Sequence, residues 1–373
     1  MRVLFVNENI GGHTTVHLNL ERALRENRRV DAEFLDAPPA GLLRRLSGAS
    51  IPVLGRRDLD LHPLRAQLGL SAAVRRRLAP IIGRFDCVHV YTQNAALLSA
   101  ELLRTVPTVV SLDSTNALNA FRLPQREPTR WTSRVLPVTQ WFERKVYDAA
   151  TLIAPSSVLC EESLRSEYSV PVEKIWRLRF GIPVPDPLPA APRTSGLPEV
   201  TFVGWDLDRK GGRKLLELHQ RFLADRCVLN LVTRDDVPDL PNVRVHHEVR
   251  PGDGKLATLL RQSRVFVFPS EIDQSPNAVL EAMAAGLPVI ALRVGGLGDM
   301  VDSGVTGFLL EPGDDTGLVN AVMSLLEDPG RAARMGTAGH QRALAHFEVG
   351  ATTAELVEVL RGARRRWLAA RLS

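Results

Sequence analysis

Residues 264–292 read RVFVFPSEIDQSPNAVLEAMAAGLPVIAL, and this stretch decides the fold class. The apolar run at 264–268 is rich in β-branched and aromatic residues, which predicts a buried strand. Ser275 and Pro276 predict a helix start, with the serine at the N-cap and the proline at the first helical position. Gly286 ends the helix, and a second apolar strand follows it. Strand, helix and strand within this length predict a βαβ unit in a parallel sheet.

The predicted helix begins at the carboxyl end of a strand, which is where open α/β sheets bind ligands. Because Pro276 has no N–H, Asn277 and Ala278 carry the next free amide donors of the first turn. The helix dipole is worth only about 0.3–1 kcal/mol to an exposed anion, so we expect cations elsewhere in the chain to help bind a diphosphate. Glu281 lies past the first turn, where it can bind neutral hydroxyls such as those of a ribose.

The order of residues around this helix resembles the signature of retaining glycosyltransferases of family 4, which have the GT-B fold. The positions that carry the resemblance are Asp273, Glu281, Ala282, Met283, Ala284, Gly286, Pro288, Val289, Gly295, Gly296, Gly304, Thr306 and Gly307. The resemblance implies an α/β protein with two Rossmann-like parallel-sheet domains that face each other across a cleft. The family has glutamate where this chain has Asp273. We assign that role to Asp273, which keeps the spacing to Glu281, with Glu271 as the alternative.

A basic loop follows the predicted strand at 200–203, with the sequence GWDLDRKGG at 204–212. It resembles the family motif whose basic residues clamp the donor diphosphate. Lys210 matches the lysine of that motif, whereas Trp205 occupies the position of its arginine. We expect Arg209 to replace the missing cation, although an exposed turn charge is an equal alternative. Two cations beside the two phosphates stabilise a bound diphosphate more than the helix dipole alone does.

The first strand, at residues 2–6, is followed by a loop that contains Gly11, Gly12 and His13. This loop does not have the G-x-G-x-x-G pattern, which argues against a nicotinamide or flavin site. The resemblance implies that the loop lies beside the donor phosphates and the acceptor. We therefore assign Gly12 to the donor, and Gly11 and His13 to the sugar or acceptor. A surface histidine without a role is equally compatible with His13.

Asp113 follows the predicted strand at 108–112 and occupies a position where many family members have a histidine that contacts the sugar. It either accepts a hydrogen bond from a sugar or acceptor hydroxyl, or it caps a helix.

The resemblance and the pattern of elements predict two domains. An N-terminal acceptor-binding domain spans residues 1–180, and the last helix, at about 350–373, packs back onto it. A proline-rich linker spans 181–198. A C-terminal nucleotide-sugar-binding domain spans 199–349.

The composition is that of a soluble globular protein, with 45% hydrophobic and 24% charged residues. No run of apolar residues is long enough for a transmembrane helix, the chain begins with a strand, and three scattered cysteines lack any metal or disulfide spacing. We therefore expect a cytoplasmic protein.

The net charge is +5, but no nucleic-acid motif accompanies it, so we expect no nucleic-acid partner. Arginine-rich helices at 75–77 and 361–366 are either solvated or in peripheral contact with an anionic inner membrane face.

These observations predict a retaining glycosyltransferase that moves a sugar from a nucleoside-diphosphate sugar, with a UDP-sugar favoured, to an acceptor hydroxyl. The predicted catalytic residues are Asp273, Lys210 and Arg209. No cofactor or metal is required, because the cations take the place of a metal. The acceptor is expected to be a small natural product, a glycan or a lipid-linked molecule. The alternatives are a sugar-nucleotide epimerase or phosphorylase of the same fold, and a non-catalytic protein that binds nucleotide-sugars or a membrane surface.

Overall fold

The computed structural model describes residues 1–9, 12–27, 30–41, 45–46, 48–55, 59–121, 128–189, 196–249 and 254–372. The chain divides into two compact units. The first unit comprises Met1–Gly181 and Gly350–Ser373, and the second comprises Ile182–Val349.

The first unit is built on a parallel sheet with the strand order β2-β1-β3-β4-β5. Its strands in the described residues are β1 Arg2–Asn7, β2 Asp31–Asp36, β3 Cys87–Tyr91, β4 Thr108–Leu112 and β5 Leu152–Pro155. Strands β3 to β5 are buried along their whole length, because helices cover both faces of the sheet.

The α-helices of the first unit in the described residues are α1 His13–Asn27, α2 Pro52–Gly55, α3 His62–Leu78, α4 Ala100–Leu103, α5 Asn116–Asn119, α6 Thr132–Ala149 and α7 Val158–Ser166. Helix α1 begins at His13. His13 is therefore the first residue of a helix that directly follows the glycine loop.

The second unit contains a parallel sheet with the strand order β11-β10-β9-β6-β7-β8. Its strands in the described residues are β6 Glu199–Val203, β7 Val228–Val232, β8 Val243–His246, β9 Val265–Phe268, β10 Val289–Leu292 and β11 Gly307–Leu310. Its α-helices there are α8 Gly212–Leu218, α9 Lys255–Gln262, α10 Asn277–Ala284, α11 Leu297–Met300, α12 Asp315–Glu327 and α13 Pro329–Phe347.

The last helix, α14 Val349–Leu372, packs within the first unit. Its buried face, which includes Leu356 and Leu360, belongs to the same apolar cluster as Val3 and Val109 of the sheet. The Trp176 indole N–H donates to Glu355 Oε1 at 3.1 Å. Helix α14 therefore completes the core of a sheet that begins at the other end of the chain.

The segment that follows Gly181 packs within the second unit. The Ile182 amide donates to the Phe347 carbonyl at 2.8 Å, and the Val349 amide donates to the Ile182 carbonyl at 2.9 Å. The Leu188 side chain packs against Gly286. Ile182 and Leu188 of the expected linker thus contact the second unit, and residues 190–195 lie outside the described residues.

Helix α10 begins one residue later than the prediction from its sequence. Pro276 is the cap residue, with an extended backbone (φ −73°, ψ 112°), and the helix starts at Asn277. The Pro276 carbonyl accepts the Val279 amide at 3.1 Å. The prediction that Ser275 caps the helix and Pro276 occupies the first helical position was therefore wrong, because Pro276 does not adopt helical backbone angles.

Candidate active site

In the second unit, the loops after β6, β9 and β10 approach one another at the carboxyl edge of the sheet. Gly211, with φ +75°, lies so close to the Pro269 carbonyl that a Cβ would come within 2.1 Å of its oxygen. Gly295, with φ +52°, is packed in the same way: a Cβ built on it would lie 1.8 Å from the Asp273 carbonyl oxygen. Side chains at either position would push the loops apart. The glycines therefore let backbone pack on backbone around Asp273.

Lys210 and Asp273 form an ion pair at the centre of this loop cluster. The Lys210 ammonium donates to Asp273 Oδ2, and the two side chains are only 15% and 11% exposed. Asp273 Oδ1 accepts the Gln274 amide at 3.0 Å. The Lys210 ammonium also lies 5.5 Å from the centre of the Phe268 ring. The structure thus places Asp273 against the lysine, whereas the side chain of the alternative, Glu271, is exposed.

Arg209 lies beside this pair but is directed toward its own turn. Its Nε is 3.7 Å from Asp206 Oδ2, its amide donates to Asp206 Oδ1 at 2.9 Å, and its side chain is about one-third exposed. The Arg209 carbonyl accepts from the Ser270 hydroxyl at 3.4 Å. The positive charge of Arg209 is therefore already partly balanced by a carboxylate of the same loop.

Helix α10 carries three of the predicted donor-binding residues. Asn277 and Ala278 are its first two residues, and Glu281 lies one turn further along. Burial raises the pKa of the Glu281 carboxyl to about 7. Within the described residues, no hydrogen bond or ion pair reaches the Glu281 carboxylate. A partly buried acid without a protein partner is a group that a ligand can complete.

In the first unit, the carboxyl ends of β1, β3 and β4 bring together a histidine and two acids. His13 Nδ1 lies 2.7 Å from Glu8 Oε1, and His13 Nε2 lies 3.2 Å from Asp113 Oδ2. The Thr92 hydroxyl donates to the other oxygen of Glu8 at 2.7 Å. His13 and Asp113 are each about one-fifth exposed, whereas Glu8 is buried.

The two carboxylates determine the protonation of His13. Burial by itself lowers the pKa of the imidazole, but Asp113 and Glu8 outweigh burial and raise it to about 10. Burial likewise raises the pKa of Asp113, but His13 and two backbone amides lower it below its usual value. The cluster therefore holds an imidazolium between two carboxylates and carries one net negative charge. Since both nitrogens of His13 are bonded, His13 is not a free general base at neutral pH.

The remaining predicted residue of this loop that the structure describes is Gly12. Its carbonyl accepts the Thr15 and Val16 amides at 3.2 and 3.4 Å, so Gly12 begins the first turn of α1. Gly11, predicted to contact the sugar or acceptor, lies outside the described residues.

Sequence reasoning did not identify Glu8, Thr92 or the aromatic environment of His13. The Tyr91 ring makes edge contacts with His13 and with His17, at 4.9 and 4.7 Å between ring centres. Burial lowers the pKa of His17 to about 3, so His17 is neutral. The signal for Glu8 was an acid directly after a buried strand, at the edge where parallel sheets bind ligands.

The residues that the structure describes contain no group of three or more histidine, cysteine, aspartate or glutamate side chains arranged to hold a metal ion. None of their helices combines the length and the apolar character needed to cross a membrane.

Comparison with known proteins relates this architecture to one enzyme class. Residues 198–328 match the family model for glycosyl transferases group 1. The α-maltose-1-phosphate synthase of Mycobacterium tuberculosis is 29% identical over 371 residues, which covers 90% of this chain and 92% of that protein. Sucrose-phosphate synthase of Thermosynechococcus elongatus has a similar structure, with a TM-score of 0.75, 19% identity and coverage of 97% of this chain and 98% of that one.

A second similar structure is that of Anabaena HepE in complex with UDP-glucose. Its TM-score is 0.67, its identity is 16%, and the alignment covers 97% of this chain and all of the other. The two parallel-sheet units therefore have the GT-B fold, which confirms the predicted fold class. Residues 198–328 thus match the group 1 glycosyl transferases, as the signature sequence predicted, and the chain is similar to glycosyltransferases over about nine-tenths of its length.

Proposed function

We propose that this glycosyltransferase transfers a sugar from a UDP-sugar to an acceptor hydroxyl, with retention of anomeric configuration and without a metal ion. The observation that carries the proposal is the Lys210–Asp273 pair at the start of α10, with the unpartnered acid Glu281 one turn away. A cation, a helix N-terminus and an acid at one sheet edge match the phosphates and ribose of a nucleoside diphosphate. The similar structure of HepE is a complex with UDP-glucose, which supports UDP as the nucleotide.

Each donor group has a residue that suits it chemically. Lys210 uses one N–H on Asp273, which leaves two for a phosphate oxygen. Asn277 and Ala278 at the start of α10 add the attraction of the helix dipole to the same phosphate, and Gly12 is our further candidate beside it. The Glu281 carboxylate accepts hydrogen bonds from the ribose hydroxyls, and Asp273 does so from hydroxyls of the transferred sugar.

In the reaction we infer, the bond between the anomeric carbon and the β-phosphate oxygen breaks, and a bond from the acceptor oxygen forms on the same face of the sugar. The acceptor proton moves to the departing phosphate oxygen. The protein then has to orient the reactants and stabilise the negative leaving group, which is the task of Lys210 and Arg209. Because His13 is held as an imidazolium, it is not the base for this proton.

The first unit supplies the acceptor site in this proposal. Asp113 accepts a hydrogen bond from an acceptor hydroxyl, and His13 lies beside Asp113. Gly11 is a further candidate for this site from the sequence. The acceptor is a small natural product, a glycan or a lipid-linked molecule. The protein works in the cytoplasm, and the arginine-rich ends of α3 and α14 allow peripheral contact with the inner membrane face. Arg77 donates to the Asp36 carbonyl at 2.8 Å and Arg364 to Asp86 at 3.3 Å, so part of this charge already serves local contacts.

The test combines donor hydrolysis with product stereochemistry. The purified protein is incubated with UDP-, GDP-, ADP- and TDP-sugars, with and without acceptor mixtures, and released nucleoside diphosphate is quantified. We expect release from a UDP-sugar, and a product whose anomeric coupling constant by NMR matches the donor. Inverted product would overturn the retention proposal, and release from another nucleotide alone would overturn the choice of UDP.

A further inference from the structure

The cations that follow β6 in the second unit are each paired with a carboxylate. The pairs are Lys210 with Asp273, Arg209 with Asp206 at 3.7 Å, Arg213 with Asp208 at 2.8 Å and Lys214 with Asp315 at 2.8 Å. A donor diphosphate brings about two further negative charges to this edge of the sheet. Its binding therefore calls for positive charge that is not already balanced locally.

Arg234 is such a charge. It is exposed and lies two residues beyond the end of β7. In the described part of the chain, no carboxylate lies within ion-pair distance of its guanidinium, which instead contacts an aromatic ring. The guanidinium carbon lies 3.3 Å from the ring centre of Trp205.

The neighbouring strands place this stack beside Lys210. Strands β6 and β7 are paired in register, so that their carboxyl ends coincide, and the Gly204 amide donates to the Val232 carbonyl at 2.9 Å. Trp205 directly follows Gly204. A Cβ built on Gly204 would lie 2.9 Å from the Lys210 Cβ. The backbone that carries Trp205 is therefore in contact with the lysine side chain.

Trp205 occupies the position at which the motif it resembles has arginine, so the chain lacks a cation there. The exposed indole instead holds a guanidinium that comes from the next strand. A guanidinium stacked on a ring keeps its five N–H groups in its own plane, where they remain available to phosphate oxygens. Stacking also reduces the freedom that Arg234 would lose when it binds an anion.

We propose that Arg234, positioned by Trp205, is the second cation that binds the donor diphosphate, in place of the arginine that Trp205 replaces. The inference rests on the proposed function, because it assumes a nucleoside-diphosphate donor. It makes Arg234 the direct ligand and Trp205 a positioning residue. It also gives Arg209 a smaller part, because its charge is balanced by Asp206.

The experiment measures binding of UDP and of uridine by calorimetry to the wild-type protein and a set of variants. Arg234→Ala is expected to weaken UDP binding by about tenfold or more, and to leave uridine binding unchanged, since uridine has no phosphate. Arg234→Lys keeps the charge but loses the planar stack, so its affinity for UDP should lie between those of the wild type and Arg234→Ala. Arg226→Ala is the matched control, because Arg226 is a half-exposed arginine of the same unit, paired with Glu327.

A double variant separates replacement of a cation from any structural role. Trp205→Arg introduced into the Arg234→Ala protein should restore most of the UDP affinity, because the cation then returns to the position after Gly204. Melting temperatures of all variants are measured in parallel. Restored binding at an unchanged melting temperature supports the exchange of cations.

The outcomes distinguish the two proposals. If the wild-type protein binds no UDP and no other nucleoside diphosphate, the donor proposal fails and the role of Arg234 fails with it. If the wild type binds UDP and Arg234→Ala binds it equally well, the Arg234 inference alone is overturned. Equal weakening of UDP and uridine would also contradict it, because that result would place Arg234 at the base.

Discussion

The carboxyl edges of the two sheets carry opposite electrostatic character. In the second unit, Lys210 follows β6 and is bonded to the acid Asp273, and Arg234 follows the neighbouring strand β7 and stacks on Trp205. In the first unit, the strand ends carry two carboxylates around His13, with one net negative charge. The same parallel-sheet architecture thus provides one edge suited to an anion and another suited to neutral or cationic groups.

The largest expected effect tests the positive edge. Lys210→Ala should lower kcat/KM for the donor by about 10² or more, because the leaving diphosphate loses its buried cation. Steady-state kinetics with a UDP-sugar provide the measurement. Lys214→Ala is the control, since Lys214 is an exposed lysine paired with Asp315. Unchanged kinetics in Lys210→Ala would remove the lysine from the mechanism.

The next effect tests the negative edge. Asp113→Asn should lower kcat/KM for the acceptor by about 10- to 100-fold, because the neutral amide is a weaker hydrogen-bond acceptor than the carboxylate. Affinity for UDP should stay at the wild-type level, because the proposed UDP site lies in the other unit. Calorimetry and acceptor kinetics on the same preparation separate the two. Loss of UDP affinity in this variant would mean that the two edges do not divide the substrates between them.

The pH dependence of donor binding tests Glu281. Because burial raises its pKa to about 7, the free protein holds this carboxyl protonated below pH 7 and ionised above it. The ionised form accepts hydrogen bonds from ribose hydroxyls, so donor affinity should rise with pH, by about tenfold between pH 6 and pH 8. UDP-glucose is the probe, since its diphosphate does not titrate in that range. The affinity of Glu281→Gln should be independent of pH, and a wild-type slope in that variant would assign the titration to another group.

The smallest expected effect is that of chelation. Transfer activity should be unchanged after dialysis against EDTA, because Lys210 and Arg234 supply the positive charge at the diphosphate. Rates with and without added Mg²⁺ are the measurement. Complete loss that is restored by Mg²⁺ would overturn the metal-free mechanism.

Stability should reveal the His13 cluster independently of activity. A histidine whose pKa is raised in the folded state stabilises the protein fully below its unfolded value of 6.5, and this contribution is lost as the pH rises through about 10. Asp113, whose pKa is lowered in the folded state, contributes stability above its ordinary pKa of 3.8, and this contribution is lost in acid. The melting temperature should therefore decline between pH 6.5 and 10, and the decline should be smaller in Asp113→Asn.

The elements of the site that were predictable from the sequence are those set by local physics. The strand, helix and strand around α10 follow from apolar runs, a proline and a glycine, and their boundaries were correct to within two residues. Lys210, Asp273 and Glu281 were identified because their spacing along the chain resembles a known signature. Gly295 was identified in the same way, but its packing against the Asp273 carbonyl was not, because that contact joins two separate loops.

Tertiary structure alone decided which of these residues meet. The pair Lys210–Asp273 spans 63 positions, His13–Asp113 spans 100, and Trp205 and Arg234 come from successive strands. The physical reason is the parallel sheet, whose register brings carboxyl ends from distant parts of the chain to one edge, whereas sequence spacing reports only neighbours along one element. The enzyme class and the position of helix α10 were therefore predictable from the sequence. The packing of strands decided that His13 is an imidazolium held by two acids, and that Arg234 lies on Trp205.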